Sequence, residues 1–414
     1  MRKTAKSRAY YILTLLFLIY LFDFADRKIL SVLFPLIKAD WNLSDMQLSM
    51  LEGVTSITIA ICVIPMAILV DRWSRKKMIV IMVFAWSLVT ILCAFANNYT
   101  QLLLLRGLIG IGEAAYAPAA IAMISKFFPI KHRAKYIGIY DGAAPLGVAI
   151  GMILGGYIGM VYGWRHAFGL VAIPGILLSL LFLFVRDYKT LPLYYKNTRS
   201  SFQFSHVKDL LQTKTLWFIY IAFACMVGIN TSVLDWAPSF FMRIHGLTQS
   251  ESGYVSAIIA GAVLIGAPLG GYFGDKLTLK FPHGKLLISG ITTCGAGLAL
   301  LGAVSASNLY VSFVCFGLFG IQTVAFLGPA SAIIQEIVQP GIRTLAFGIN
   351  VLIMNILGSF AMILLVGFIS DKYNIQVALE VIACFAFFAS FLFFVSKNYY
   401  LHDLNAINKT VSKE

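Results

Sequence analysis

The sequence predicts an all-α membrane protein whose twelve transmembrane helices form two pseudo-symmetric six-helix bundles. The first observation behind this prediction is composition: 59% of the 414 residues are hydrophobic and only 12% are charged. This charged fraction is about half that of a typical soluble protein. The second observation is that apolar stretches long enough to cross a bilayer recur about twelve times. The third is that motifs of the first half return in the second, as in membrane proteins built from repeated halves.

The predicted spans are joined by short connections, except for one longer polar stretch between spans 6 and 7. They cover residues 10–37, 46–70, 78–97, 101–125, 134–162, 164–186, 215–242, 252–275, 285–304, 308–336, 344–370 and 376–396. The polar stretch at 187–214 predicts a linker between a bundle at 1–186 and a second at 215–414, which ends in a short tail. Within the linker, residues 205–211 suit either a short amphipathic surface helix or a plain solvated segment.

Basic residues cluster at the termini and at the even-numbered connections. The clusters are Arg2–Arg8, Arg72–Lys77, Lys126–Lys135, Arg186–Lys214, Lys276–Lys285, Arg343 and the residues from Lys397 onward. Because cytoplasmic loops of membrane proteins carry an excess of Lys and Arg, both termini and the linker are predicted in the cytoplasm, with the chain in the cell (inner) membrane. This distribution explains the net charge of +14 by topology, so no nucleic-acid partner is expected.

Two pairs of short motifs relate the halves of the chain. AILVDRWSRKK at 67–77 follows span 2, and GYFGDKLTLK at 271–280 follows span 8. In both, an aspartate is directly followed by a basic residue. RAKYIG at 133–138 and RTLAFG at 343–348 stand in corresponding positions before spans 5 and 11. These repeats predict two parallel six-helix domains.

Span 4 carries an arginine and a glutamate inside an apolar helix. Arg106, Gly110 and Glu113 fall on one helical stripe of the segment RGLIGIGEAAY, which ends at Tyr116. A charge at membrane depth costs at least a few kcal/mol, so it usually faces a partner or a water-filled path. The pair is therefore either a structural ion pair between packed helices or part of a proton or substrate site.

Span 1 carries charges of its own. Tyr20, Asp23 and Arg27 share a helical stripe, and Asp26 lies beside it. Burial favours the neutral form of a carboxyl group, whereas a nearby guanidinium favours the charged form. A movement that changes the distance from a carboxyl group to Arg27 or Arg106 would therefore load or release a proton.

The loop after span 2 resembles the GxxxD(R/K)xGRR signature of the major facilitator superfamily. The chain departs from the signature at Ala67 and Ser74, where the family usually has glycine, and its second copy keeps Gly271 but loses the tail. The resemblance implies that Asp71 latches one domain to the other on the cytoplasmic side. The predicted cytoplasmic gate comprises Asp71, Arg72, Arg75, Lys76, Arg133, Asp275 and Arg343.

Within the superfamily, the first half resembles the Spinster-like branch. The resemblance rests on the segments at 25–47, 64–76, 86–118 and 163–175, with a weaker match at 236–241. It implies that Asp26 and Glu113 take part in proton coupling, with Arg27 and Arg106 as carboxylate partners or as anchors for an anionic group. Some of these elements are shared with the anion:cation symporter branch.

Span 5 contains a glycine stripe. Gly147, Gly151 and Gly155 repeat every four residues, a spacing that lets another helix approach closely. We interpret the stripe as a packing surface, and its expected partner is span 8, which has Gly261, Gly266 and Gly270.

The second half is poorer in charge. Asp235 in span 7 is either a substrate contact or a residue at the extracellular end of the helix, and Gln322 and Asn350 are either cavity residues or helix-to-helix contacts. The candidate substrate contacts and charge partners are Asp23, Arg27, Arg106, Tyr116, Asp235, Gln322 and Asn350.

The residues and the resemblance together predict a monomeric, proton-coupled secondary transporter that works by alternating access. Its expected substrate is an amphiphilic lipid-like or organic anionic small molecule, and the alternative is a symporter of small carboxylates. A non-transporting sensor is disfavoured by the charges inside spans 1 and 4. The sequence contains no P-loop, metal-ligand spacing or nucleophile elbow, so neither an enzyme nor a bound cofactor is expected. The proton gradient is the expected driving force.

Overall fold

The computed structural model describes residues 2–185, 213–338 and 342–411 of the protein, with side chains from residue 8 to residue 405 apart from a few positions. Every regular element in these ranges is a helix. Twelve of the helical segments are long and apolar enough to cross a membrane. The predicted all-α chain with twelve spans is therefore confirmed.

The spans of the first half consist of eight helices. They are Arg2–Trp41, Asp45–Arg72, Arg75–Cys93, Tyr99–Glu113, Tyr116–Phe127, Ile130–Asp141, Ala143–Tyr162 and Trp164–Phe182. In the second half, the α-helices are Lys214–His245, Gln249–Thr278, Gly284–Ser305, Leu309–Thr323, Leu327–Glu336, Arg343–Ile353, Ala361–Lys372 and Ile375–Val411. A π-helical stretch at Met354–Phe360 lies inside span 11.

Spans 4 and 10 are each broken into two helices at corresponding places. Span 4 is interrupted between Glu113 and Tyr116, and span 10 between Thr323 and Leu327. In both spans a proline follows the break: Pro118 in span 4 and Pro329 in span 10. A proline ring clashes with the carbonyl four residues earlier and removes one helical hydrogen bond, so the helix ends before it. Glu113 is consequently the last residue of its helix, next to the irregular turn.

The chain forms two compact units. One comprises Met1–Tyr194 together with Asp235–Ala260, and the other comprises Tyr195–Leu234 together with Gly261–Glu414. The C-terminal part of span 7 and the N-terminal part of span 8 therefore belong to the same unit as the first six spans. Most of the predicted linker lies outside the described residues, and the predicted division at 187–214 stays a prediction.

The glycine stripe of span 5 packs against span 1. A Cβ atom built on Gly147 would lie 2.1 Å from the Leu21 carbonyl oxygen, and one on Gly151 would lie 2.5 Å from that of Ala25. The predicted partner, span 8, is wrong for this stripe. The reason is that span 8 meets the neighbouring helix face instead, where Gly156 approaches Gly253.

The glycines of span 8 that were expected to meet span 5 contact span 10 instead. A Cβ on Gly266 would lie 1.9 Å from the carbonyl oxygen of Ile321, and one on Gly270 would lie 1.8 Å from that of Ala325. Gly261 has no heavy atom within 4 Å of such a Cβ. The small residues of spans 5 and 8 therefore serve close helix packing, each within its own unit.

Gly147→Ala is expected to destabilise the fold by about 1–3 kcal/mol, because the added methyl group meets backbone that has no room to move. The midpoint of thermal or denaturant unfolding in detergent measures the effect. Gly261→Ala is the matched control and should be neutral or slightly stabilising, since alanine favours helix by about 1 kcal/mol over glycine. Equal midpoints for the two variants would contradict the packing described for the span 5 stripe.

Candidate functional site

Eight charged residues from spans 1, 2, 4 and 7 lie close together within the first compact unit. They are Asp23, Asp26, Arg27, Lys28, Glu52, Arg106, Glu113 and Asp235, and all except Arg27 are buried. Span 1 contributes four of them within about one and a half helical turns, so its charges point in several directions around the helix axis. The geometry divides the residues into two ion-pair groups and one separate carboxyl group.

The first group is centred on Arg27. Its Nε atom lies 3.0 Å from Glu113 Oε2, and its Nη2 atom donates to Asp23 Oδ2 at 3.4 Å. The contact with Glu113 is an ion pair that lacks the alignment of a hydrogen bond, since both Glu113 oxygens remain without a hydrogen-bond partner among the described residues. The sequence left open whether Glu113 faces Arg27 or Arg106, and the structure places it beside Arg27.

The second group is centred on Glu52 of span 2. Arg106 Nη2 donates to Glu52 Oε2 at 3.0 Å, and Arg106 Nε donates to the Leu51 carbonyl oxygen at 3.3 Å. Thr55 donates to the Arg106 carbonyl oxygen at 3.1 Å. Arg106 is therefore a carboxylate partner, and its side chain is only 1% exposed. Sequence reasoning missed Glu52, although an acidic residue within an apolar span was a visible signal.

Lys28 joins this group to span 7. Its Nζ atom donates to Asp235 Oδ1 and lies 3.7 Å from Glu52 Oε1. Asp235 is 2% exposed and stands ten residues before His245, the end of its helix. The interpretation of Asp235 as a residue at the helix end is therefore wrong, because its carboxyl group lies inside the unit. Lys28 itself was not predicted as a site residue, although it directly follows Arg27 in span 1.

Asp26 stands apart from both groups. Among the described residues, no cation lies within 4.0 Å of its carboxyl group, and its Oδ1 atom has no hydrogen-bond partner. Asp26 is not paired with the adjacent Arg27 in these contacts, because consecutive residues of a helix point about 100° apart. A role of Asp26 in proton coupling stays a prediction.

Aromatic side chains surround the Arg27 group. Tyr20 stacks on Tyr140 with ring centroids 4.4 Å apart, and the Arg27 guanidinium lies 5.2 Å from the Phe24 ring centroid. Tyr116 donates its hydroxyl proton to the Leu16 carbonyl oxygen at 2.8 Å and is 1% exposed. This places Tyr116, a predicted substrate contact, in a contact between spans 4 and 1.

The other two second-half candidates, Gln322 and Asn350, lie in the second unit. Gln322 covers Gly295 of span 9, where a Cβ atom would lie 1.8 Å from Gln322 Oε1, so it makes a helix-to-helix contact. Asn350 is 1% exposed, and both of its amide heavy atoms lack a hydrogen-bond partner among the described residues. Its role stays a prediction.

The predicted gate residues are found at the ends of their helices. Lys76 donates to the Leu183 carbonyl oxygen at 2.7 Å, and Arg343 Nε donates to that of Val338 at 3.3 Å. Arg72 and Asp275 are exposed, whereas Arg75 and Arg133 are half-buried. The side chain of Asp71 lies outside the described residues, so the proposed latch at this position stays a prediction.

Arg27 differs from the other cations of the cluster in its exposure. A quarter of its side chain is exposed, against 9% for Lys28 and 1% for Arg106. A guanidinium presents paired N–H donors that match a carboxylate. The cluster also holds five carboxyl groups and three cations, and an excess of buried carboxyl groups can be balanced by protons. Its chemistry thus suits the binding of an organic anion and of protons.

Comparison with known proteins agrees with this fold. A family model described as the Major Facilitator Superfamily matches residues 16–350. The probable L-galactonate transporter of Escherichia coli is 27% identical to this chain in an alignment of 394 positions, which covers 89% of this chain and 85% of that protein. Protein spinster homolog 1 of Xenopus laevis is 26% identical in an alignment of 389 positions, which covers 88% of this chain and 74% of that protein.

A solved structure shows the same architecture over nearly the whole chain. It is the crystal structure of a bacterial homolog to the human lysosomal transporter Spinster, in an inward-facing and unoccupied conformation. The TM-score is 0.85 at 24% identity, and the match covers 96% of this chain and 98% of that chain. Spinster proteins and a sugar-acid transporter are thus both similar to this chain.

Proposed function

Because this chain belongs to the Major Facilitator Superfamily, and is therefore a multi-pass membrane transporter, we propose that it couples the movement of an organic anion to that of protons. The observation that carries the proposal is Arg27, which lies between Asp23 and Glu113 and keeps a quarter of its side chain exposed. The matched family is a transporter superfamily and the L-galactonate relative is named a transporter, which confirms the expectation that the chain is not an enzyme.

The Arg27 group supports a coupling mechanism. A proton on Glu113 removes its negative charge and weakens the ion pair with Arg27. The guanidinium is then available to donate two hydrogen bonds to a substrate carboxylate. When the proton leaves, Glu113 competes for Arg27 again and the anion is released. Proton and anion therefore bind together, which is the requirement for symport.

The substrate class that this arrangement favours is a small carboxylate such as a sugar acid. One permanent cation, whose side chain is a quarter exposed, provides for one carboxylate group, and a relative of this chain is named a probable L-galactonate transporter. The resemblance to Spinster-like proteins supports a lipid-like amphiphile as the competing substrate.

We further propose that the protein is a monomer in the cell (inner) membrane and works by alternating access. Its termini are cytoplasmic in this proposal, because the basic clusters lie at the termini and at the even-numbered connections.

The experiment is counterflow in proteoliposomes with labelled L-galactonate, with and without an imposed pH gradient. A parallel set of vesicles is tested with labelled lysophospholipid. Sugar-acid uptake that an inward proton gradient increases is the expected result. Lysophospholipid counterflow without sugar-acid counterflow would overturn the proposed substrate class. Sugar-acid accumulation that does not change with the pH gradient would overturn proton coupling.

Glu113→Gln is expected to abolish accumulation driven by the pH gradient, because glutamine can neither gain nor lose the proton that controls Arg27. Counterflow without a gradient should persist, since it requires anion binding but no net proton movement. Glu380→Gln is the matched control: this carboxyl group lies in span 12, in the second compact unit, and accepts a hydrogen bond from Gln376 at 3.2 Å. A Glu113→Gln protein that still accumulates substrate with the gradient would remove Glu113 from the mechanism.

A further inference from the structure

Two ion pairs hold the segment Asp235–Ala260 to the first six spans, and the segment supplies the carboxylate of one pair and the cation of the other. Asp235 of the segment accepts from Lys28 of span 1, and Arg243 of the segment donates to Asp45 of span 2. Arg243 makes two hydrogen bonds, 2.6 Å from Nη1 to Oδ2 and 2.8 Å from Nη2 to Oδ1. Lys38 adds a third bond to Asp45 at 2.6 Å. Both carboxyl groups are 2% exposed.

The order of the charges determines the register of this docking. Asp235 and Arg243 are eight residues apart, which places them about 12 Å apart along one face of a helix. Sliding the segment so that Arg243 approached Lys28 would bring two cations together. Asp45 is itself well placed, because it lies in the first turn of span 2 after the Ser44 cap, where the helix dipole favours a negative charge.

Contacts along the segment complete the docked position. Trp236 packs on Phe34 with ring centroids 5.2 Å apart, and the Gln249 amide donates to the Val32 carbonyl oxygen. At Gly253, a Cβ atom would lie 2.6 Å from the Met152 carbonyl oxygen. The segment is therefore docked closely on spans 1, 2 and 5.

Lys28 has a second acceptor within reach. Its Nζ atom lies 3.7 Å from Glu52, which belongs to span 2 and not to the docked segment. If the segment moved away, Lys28 would keep Glu52 as a counter-charge. The undocked state therefore avoids the large cost of a buried cation without a partner.

Lys28 directly follows Arg27 on the same helix. Arg27 contacts Glu113 and Asp23, whereas Lys28 contacts Asp235, so a shift of this turn of span 1 moves both groups of contacts at once. We infer that Lys28 is a positioning residue, and that its ion pair with Asp235 transmits the state of Arg27 to the segment Asp235–Ala260, which undocks when Lys28 turns to Glu52. This inference rests on the proposed function in taking Arg27 as the anion-binding residue.

The test measures docking through a cysteine, independently of transport. Ser239 is 0% exposed and lies one turn from both Asp235 and Arg243. Ser239→Cys is made in a chain whose six native cysteines are replaced, and alkylation by a maleimide is timed in proteoliposomes. Lys28→Met should raise the alkylation rate about tenfold or more, since loss of one partner strongly destabilises a buried pair. Asp235→Asn removes the charge of the other partner and should raise the alkylation rate in the same way.

The matched controls are a charge-conserving variant and an unrelated ion pair. Lys28→Arg keeps a cation facing both Asp235 and Glu52, so it should keep the alkylation rate close to that of the parent. Asp40→Asn should leave the rate unchanged, because Asp40 pairs with Arg165 within spans 1 and 6 at 2.9 Å. An unchanged rate in both Lys28→Met and Asp235→Asn would overturn the inference.

The transmission step is tested without any substrate. Arg27→Gln breaks the contacts with Glu113 and Asp23 and should raise alkylation of the Ser239→Cys reporter about fivefold or more, the lower range of coupling between linked sites. No change in this variant would overturn transmission even if the ion pair itself proves to dock the segment. Absence of sugar-acid counterflow would instead overturn the proposed function and leave these alkylation results intact.

Discussion

Arg27→Gln is expected to reduce counterflow of the sugar acid by about 100-fold or more, because hydrogen bonds to a charged group contribute about 1.5–3 kcal/mol each and the substrate carboxylate loses two of them. Arg27→Lys should recover part of the activity, since lysine keeps the charge but not the paired donors. The measurement is the initial counterflow rate at several substrate concentrations. Arg165→Gln is the matched control, because Arg165 is a half-exposed arginine whose partner Asp40 is outside the cluster.

A second variant separates anion binding from a purely structural role of Arg27. Its removal leaves Asp23 and Glu113 buried without their cation, so Arg27→Gln alone could lower the amount of folded protein. The double variant Arg27→Gln with Glu113→Gln removes one of those charges and should fold better while remaining inactive. Recovery of transport in the double variant would show that Arg27 only neutralises Glu113, and the proposed anion site would be wrong.

Arg106→Met is expected to destabilise the folded protein by about 3–5 kcal/mol, because it leaves Glu52 buried without its closest cation. The side chain of Arg106 is 1% exposed and uses its donors on Glu52 and on the Leu51 carbonyl oxygen. The loss of stability is measured as a lower midpoint of thermal unfolding, with size-exclusion chromatography in detergent as the readout of the folded protein that remains. The expected large loss distinguishes Arg106 from Arg27, which is exposed enough to contact substrate.

The double variant Arg106→Met with Glu52→Met tests directly whether Arg106 serves only to neutralise Glu52. Replacing both partners of a buried pair by apolar residues of similar size is often neutral or stabilising, so most of the lost stability should return. Lys28 keeps Asp235 as its partner in this variant. A stable Arg106→Met single variant that lacks transport would instead assign Arg106 to substrate binding.

The sequence by itself determined the fold class, the number of spans and the presence of buried charge. Twelve apolar stretches of spanning length leave few alternatives, since only helices satisfy their own backbone hydrogen bonds within lipid over such lengths. Helical periodicity also placed Asp23 on the same stripe as Arg27, and the two are in contact. These features depend on local spacing, which a sequence displays directly.

Only the tertiary structure decided which charges meet. Glu113 lies beside Arg27 of span 1, whereas Arg106, which is on the same helix as Glu113, pairs with Glu52 of span 2. Likewise, the glycines of span 5 pack on span 1, although span 8 also carries glycines. The physical reason is that periodicity assigns a residue to a face of its helix, but the neighbour of that face depends on how helices distant in sequence cross. Asp235 shows this most clearly, because its partner Lys28 is 207 residues away.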